Sequence, residues 1–185
     1  MELLDAAEKI DTRQPFVWEV RAQISMGEFD YHAAYDSYVR LLGLSPYDPN
    51  VVRQLVYVCK LLEEWDLEIQ YGRKAVNLPG ATKKDWHILG MAYYKKAKVE
   101  KDRGNNDAKQ AALLNAVECF RSALISDPRS NQDRNHNKYA CHSLALTYFH
   151  LKRFEDAEET VVKGLEWAPY DANLLELQQT LFSHH

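Results

Sequence analysis

The sequence predicts an all-α fold, an α-α superhelix (solenoid) of stacked antiparallel helix hairpins, and three observations carry that expectation. Ala168-Pro169-Tyr170-Asp171-Ala172-Asn173 nearly repeats Ser45-Pro46-Tyr47-Asp48-Pro49-Asn50 at a distance of 123 residues, which is three periods of 34 with insertions of 14 and 7. A period of about 34 residues is the length of one helix-turn-helix repeat. Small and large apolar residues recur at helical spacing within each period. Helix starts are marked in register: Asp48 precedes Pro49 and Asp171 precedes Ala172, a capping side chain followed by the first helical residue.

Taken in order, residues 1–14 place Leu4, Ala7 and Ile10 where the closing half of a preceding repeat would place its apolar side chains, so they read as a half-repeat or cap helix. The first full unit, 15–48, carries Trp18, Ala22, Ala34, Tyr38 and Pro46. The second, 49–82, offers Val52, Leu55, Val56 and Cys59 to a first helix. The third, 83–130, reads Trp86-x2-Leu89-Gly90-x2-Tyr93, then Ala116, Phe120, Ala123 and the terminating Pro128. The fourth, 138–171, keeps size at the same places with Cys141, Leu144, Ala145, Tyr148, Ala157, Val161, Gly164 and Pro169. Residues 172–185 read as the opening helix of a following unit, acting as a C-terminal cap, with His184 and His185 as the stub of an affinity tag. Unpartnered halves at both ends suit either a piece of a longer array or caps, and leave oligomerisation through those terminal helices open.

The third unit resembles the tetratricopeptide repeat (TPR) family, whose first-helix signature it matches at Trp86, Leu89, Gly90 and Tyr93 and whose second-helix positions it matches at Ala116, Phe120 and Ala123. The resemblance extends over about residues 15–171, with departures. Arg21 and Ser25 stand where the family has leucine and tyrosine, Glu68 and Gly72 where it has alanine and an aromatic, and Pro79 comes one residue early. The resemblance implies close helix packing around Gly90, Ala92 and Ala145 against Ala116 and Ala157, with Trp86, Tyr93, Tyr148 and Phe120 filling the spaces between hairpins. If Trp86 is fully buried, its truncation to alanine costs about 3–5 kcal/mol.

Composition narrows the function classes. The 185 residues are 46% apolar and 27% charged, with a net charge of −4, so a basic stripe for nucleic acid is not expected. No apolar run approaches the length of a membrane span, and the first five residues lack the basic region of a secretion signal. Cys59, Cys119 and Cys141, an odd count without a CxxC pair, read as reduced core residues of an intracellular, cytoplasmic protein.

Listing the first-helix residues that share one face, at spacings of 3, 4 and 3, picks out a candidate groove. The first unit contributes Phe16, Glu19, Gln23 and Met26. The second contributes Asn50, Arg53, Tyr57 and Lys60, the third Lys84, His87, Met91 and Tyr94, and the fourth Tyr139, His142, Leu146 and Phe149. Of these, Arg53, Tyr57, Lys60, Lys84, His87, Met91, Tyr94, Tyr139, His142, Leu146 and Phe149 form the expected partner-binding set, basic in the middle and aromatic toward the C-terminus. Such a face suits a peptide or partner helix with apolar anchors and acidic residues. Coverage by the chain's own C-terminal segment, or by more of the array, is the competing account.

Some TPR domains hold chaperone C-terminal tails through a carboxylate clamp of lysine, asparagine and arginine. Glu19 and Gln23 occupy the places where that clamp needs lysine and asparagine, Gln54 and Ile88 depart from it as well, and Arg53 is followed by Tyr57, so no chaperone carboxylate clamp is expected.

Both insertions carry expectations. The 14 residues inside the third unit lengthen both helices about equally, through Lys95 to Arg103, a turn at Gly104-Asn105-Asn106, and Asp107 to Leu114, giving a charged extended hairpin over 95–114 that is either solvated or partner-contacting. Ser130 to His136 reads as a polar loop that loosens the last hairpin. Catalytic and metal motifs are absent: no phosphate-binding glycine loop, no His-Glu-x-x-His and no nucleophile elbow. Cys141 beside His142, with His150 beyond, is read as packing rather than as a thiol and base or a ligand set, and no cofactor is expected. The functional expectation is a non-catalytic interaction scaffold or adaptor, a fragment or subunit of a larger assembly. The alternative is a helical-repeat accessory domain of an enzyme or RNA-processing complex whose activity lies outside this chain.

Overall fold

The computed structural model of the chain describes residues 14–125 and 129–183. The half-repeat expected over 1–14, save Gln14 at its end, lies outside the described residues, as do Pro128 and the terminal histidines. Every regular element among the described residues is an α-helix: α1 Pro15–Gly27, α2 Tyr31–Leu44, α3 Pro49–Leu61, α4 Trp65–Val76, α5 Lys83–Asp102, α6 Asn106–Ala123, α7 Asn131–His150, α8 Phe154–Trp167 and α9 Ala172–Phe182. They fall into two compact units, the first ending at Ala81 and the second beginning at Thr82. Within each unit, consecutive helices pair as antiparallel hairpins, and this is the all-α fold class the sequence predicts.

In the first unit, hairpins α1–α2 and α3–α4 are built by the expected signals. Pro15 and Pro49 occupy first-turn positions, and the Asp30 and Asp48 side chains accept from Ala33 N–H at 3.0 Å and Asn50 N–H at 2.8 Å. Val52, Leu55, Val58 and Cys59 are wholly enclosed, and so, at 1% exposure, is Glu68 in the slot where the family has alanine. The Tyr35 and Tyr71 hydroxyls meet at 3.2 Å across α2 and α4. Both turns pass through a left-handed residue, Phe29 at φ 61° and Glu63 at φ 58°.

The second unit starts from a capping box, Thr82 with Asp85, in which each side chain takes the other residue's backbone N–H. Phe120 has no exposed surface and packs under Gly90, where an added Cβ would lie 2.6 Å from the Phe120 ring. The glycine therefore admits an aromatic ring rather than a partner backbone, which refines the small-residue packing expected from sequence. Gly164 does the same for Leu174, whose methyl would lie 2.9 Å from a Cβ there. Trp86 is only half-buried, so the expected full core role falls to Phe120.

The extended hairpin is present. Helices α5 and α6 run 20 and 18 residues, joined through Gly104 at φ 74°. The polar loop expected over 130–136 is not: Ser130 and Asp133 form a second capping box, and residues 131–136 are the opening turns of α7, itself 20 residues long. That extension is tied to the preceding segment. His136 Nε2 lies 2.9 Å from the Ala123 carbonyl, which accepts its proton. Asn137, with no exposed surface, accepts from Ile125 N–H at 2.8 Å and donates to the Ile125 carbonyl at 2.8 Å, pairing both backbone groups just past the end of α6.

Candidate functional site

Residues of the expected set lie in both units. In the first, α3 presents Tyr57, 48% exposed, and Lys60 to the surface, while the Arg53 guanidinium donates to the Gly80 carbonyl at 3.0 Å and so fastens the segment after α4.

In the second unit, the α5 members mostly lie against α7. Lys84 is exposed. His87 sits among the rings of Phe120, 5.4 Å away, and His136, 6.0 Å away, with Nε2 3.2 Å from Ser143 Oγ. The Ser143 hydroxyl donates to the Met91 sulfur at 3.7 Å, so its oxygen is free to accept from the His87 ring. Burial, and then the neighbouring His136, pull the His87 pKa down to about 4, so the ring is neutral at physiological pH. Tyr94 closes the row with its hydroxyl 2.8 Å from His150 Nε2.

Along α7, Tyr139 is 55% exposed, with the Lys138 ammonium 4.6 Å from its ring centre. Lys138 also meets Asp171, the cap of α9, at 3.1 Å. His142, Leu146 and Phe149 face α9 across a hollow of about 250 Å³ completed by Asn173, Glu176, Leu177 and Thr180. The C-terminal helix therefore flanks these side chains without filling the space before them. The His142 pKa is lowered by burial, with Asp171 and Glu176 pulling the other way.

Sequence reasoning did not single out Ser143 or His136, and weighed His150 only beside Cys141 and His142, not as a neighbour of Tyr94. They become visible only when α7 is set in register against α5, although the Ser130-x-x-Asp133 spacing is a readable sign that α7 starts early. Cys141 is fully enclosed, its thiol pushed up to about 11 by burial, and Cys59 is pushed to about 12 by burial and then Glu68, the reverse of what an activated nucleophile needs. Among the described residues, no three His, Cys, Asp or Glu side chains are grouped to hold a metal ion, and no helix is long and apolar enough to cross a membrane.

Residues 139–171 match the tetratricopeptide repeat family model. The match falls on the uninterrupted fourth unit rather than on the third, where the signature residues are plainest but 14 inserted residues separate the two halves of the motif. No curated protein matches the chain in sequence. Among solved structures, that of Naa15/Naa10 bound to HypK-THB is similar over 99% of this chain, at 17% identity and a TM-score of 0.70. This chain spans 26% of that one. The C-terminal part of a TPR repeat-containing protein from Cytophaga hutchinsonii is similar over 97% of this chain and 63% of its own, at 14% identity and a TM-score of 0.69. MamA is similar over 89% of this chain and 84% of its own, at 16% identity and a TM-score of 0.65. Residues 139–171 are thus a tetratricopeptide repeat by sequence, and the chain as a whole shares the helical-repeat fold of these structures.

Proposed function

We propose that the chain is a non-catalytic scaffold or adaptor, working inside the cell as part of a larger assembly, that holds a peptide or partner helix with apolar anchors. The observation that carries this reading is the hollow between α7 and α9, where His142, Leu146 and Phe149 stay open although α9 packs alongside. A space of about 250 Å³ accepts one or two large side chains, and soluble helical repeats do not ordinarily leave Leu and Phe on such a wall without a use. Exposed Tyr139 and Lys84 in the same unit supply a further aromatic anchor and a positive charge for an acidic neighbour in the ligand. In the first unit Arg53, Tyr57 and Lys60 offer the same chemistry on α3.

The test is selection of peptides from a random displayed library, followed by affinity measurement on the wild type and on L146A/F149A. The double variant is expected to bind at least about tenfold more weakly while melting within a few degrees of wild type. Unchanged affinity removes the groove reading. A collapse in melting temperature assigns these side chains to the core instead.

A further inference from the structure

The extended hairpin creates a second hollow, of about 280 Å³, with chemistry unlike the first. Helix α7 stops at His150, level with Tyr94 of α5, and Leu151 packs against the buried Ala97, Ala112 and Leu113. Beyond that level α5 and α6 run on alone. Ala97, Leu113 and the Tyr94 ring make the floor of the space. Its rim is Lys98 and Lys101 from α5, Lys109 from α6 and His150 from α7, with Asp102 the one carboxylate among its lining residues.

Neighbouring charges on the hairpin are arranged differently. The Glu100 carboxylate takes Lys96 at 3.3 Å, Arg103 at 3.0 Å and the Asn105 amide at 3.1 Å, which consumes that acid and those bases near the tip. Lys98, Lys101 and Lys109 have no ion-pair partner among the described residues. Their joint field registers on His150, whose pKa is lowered by burial and then by Lys101, Lys109 and Lys98 in turn. Three like charges gathered over an apolar floor repel one another, and an anion seated among them relieves that repulsion.

We propose that this hollow docks an acidic segment of a protein partner, seating one apolar side chain on Ala97 and Leu113 and setting flanking carboxylates against Lys98, Lys101 and Lys109. A polypeptide fits better than nucleic acid because the basic groups form a compact rim rather than a stripe along which a phosphate backbone would run. The site shares no lining residue with the hollow between α7 and α9, so the two assignments stand or fall separately.

The experiment uses a fluorescein-labelled peptide of alternating Glu and Asp around a central Leu, with a Gln/Asn version as control, read by anisotropy at about 50 mM salt, where surface charges are weakly screened. The acidic peptide is expected to bind the wild type, to lose at least about tenfold in affinity on K98Q/K101Q/K109Q, and to be indifferent to L146A/F149A and to K84A. Its binding should also raise the His150 pKa, followed by imidazole NMR, because added carboxylates favour the protonated ring. No binding up to about 1 mM, equal binding by the Gln/Asn peptide, or an unaffected lysine variant overturns the proposal. So does tighter binding of a single-stranded RNA oligomer through the same lysines, which reassigns the hollow to nucleic acid.

Discussion

Helices α5 and α7 are both 20 residues long, against 13 in α1 and α3, but they have grown at opposite ends. The insertion in the third unit is divided across the turn of its own hairpin, so the added turns of α5 lie against added turns of α6. The pair builds a core of its own from Ala97, Ala112 and Leu113 and closes its tip around Glu100. The insertion before the fourth unit lengthens α7 alone. With no added antiparallel partner, the extra turns are polar and are secured by His136 and Asn137 to the backbone at Ala123 and Ile125. Where an insertion falls relative to a turn thus decides whether it becomes a self-supporting projection or a seam sealed by hydrogen bonds.

The comparison breaks most visibly at Leu113. If the long hairpin is held by its own small core, L113A, at a side chain 3% exposed, should lower unfolding free energy by about 2–5 kcal/mol in urea melts. L114A, next door and 45% exposed, should change it by no more than about 0.5 kcal/mol. Equal, small effects at both positions would make the extension a solvated appendage.

The seam has a pH signature. Burial and His136 together hold His87 at about 4, whereas the unfolded ring titrates near 6.5, so between those values the unfolded chain binds more protons. The stability contributed by neutral His87 is complete above about pH 6.5 and is lost as pH falls toward 4, a decline of up to about 3 kcal/mol. H87Q should remove that part of the slope. H136N should recover a smaller share, because burial is the larger cause and the charge of His136 the lesser. Identical pH profiles for wild type and H87Q would show that His87 is not held neutral by the fold.

These two regions differ as much in sequence as in structure. The repeat period, the caps at Asp48 and Asp171 and the long hairpin are all legible, because each rests on local signals: punctuation, a capping side chain, apolar residues at helical spacing. The start of α7 is hidden because Asn131 to His136 is polar on every face and gives periodicity nothing to register. Only the capping-box spacing of Ser130 and Asp133 betrays it. Trp86 misleads for a related reason: a motif residue says which helix it belongs to, but its burial depends on neighbours that the motif does not place. The basic hollow is illegible for the opposite reason. Lys98 and Lys101 look like two charges of a solvated run until Lys109 and His150, on other helices, are brought beside them.

Asn137 tests the seam directly. N137A removes a wholly enclosed side chain that serves both the Ile125 N–H and carbonyl, and should cost about 1–3 kcal/mol. N137D retains an acceptor for the N–H but sets a carboxylate against the Ile125 carbonyl, so it should be the worse of the two. Hydrogen exchange at the Ile125 amide reports the same bond locally: protection should fall in both variants, and undiminished protection would mean that water or another group satisfies that amide.

The smallest expected effect lies at the hairpin turns, where the two kinds of hairpin can be compared one residue at a time. The regular turns place non-glycine residues in the left-handed region, with Lys152 at φ 59° closing the α7–α8 hairpin, whereas the lengthened hairpin uses Gly104 at φ 74°. No atom lies within 4 Å of a Cβ built at Gly104, so G104A meets no steric obstacle beyond the backbone preference itself. It should cost about 1 kcal/mol. K152G removes the left-handed penalty but adds flexibility to the unfolded chain, and the two effects nearly cancel, leaving a change within about 0.5 kcal/mol. A loss at G104A well above the backbone figure would mean that the turn is strained by the long helices it joins. No loss at all would mean that the tip rearranges without disturbing the core at Leu113.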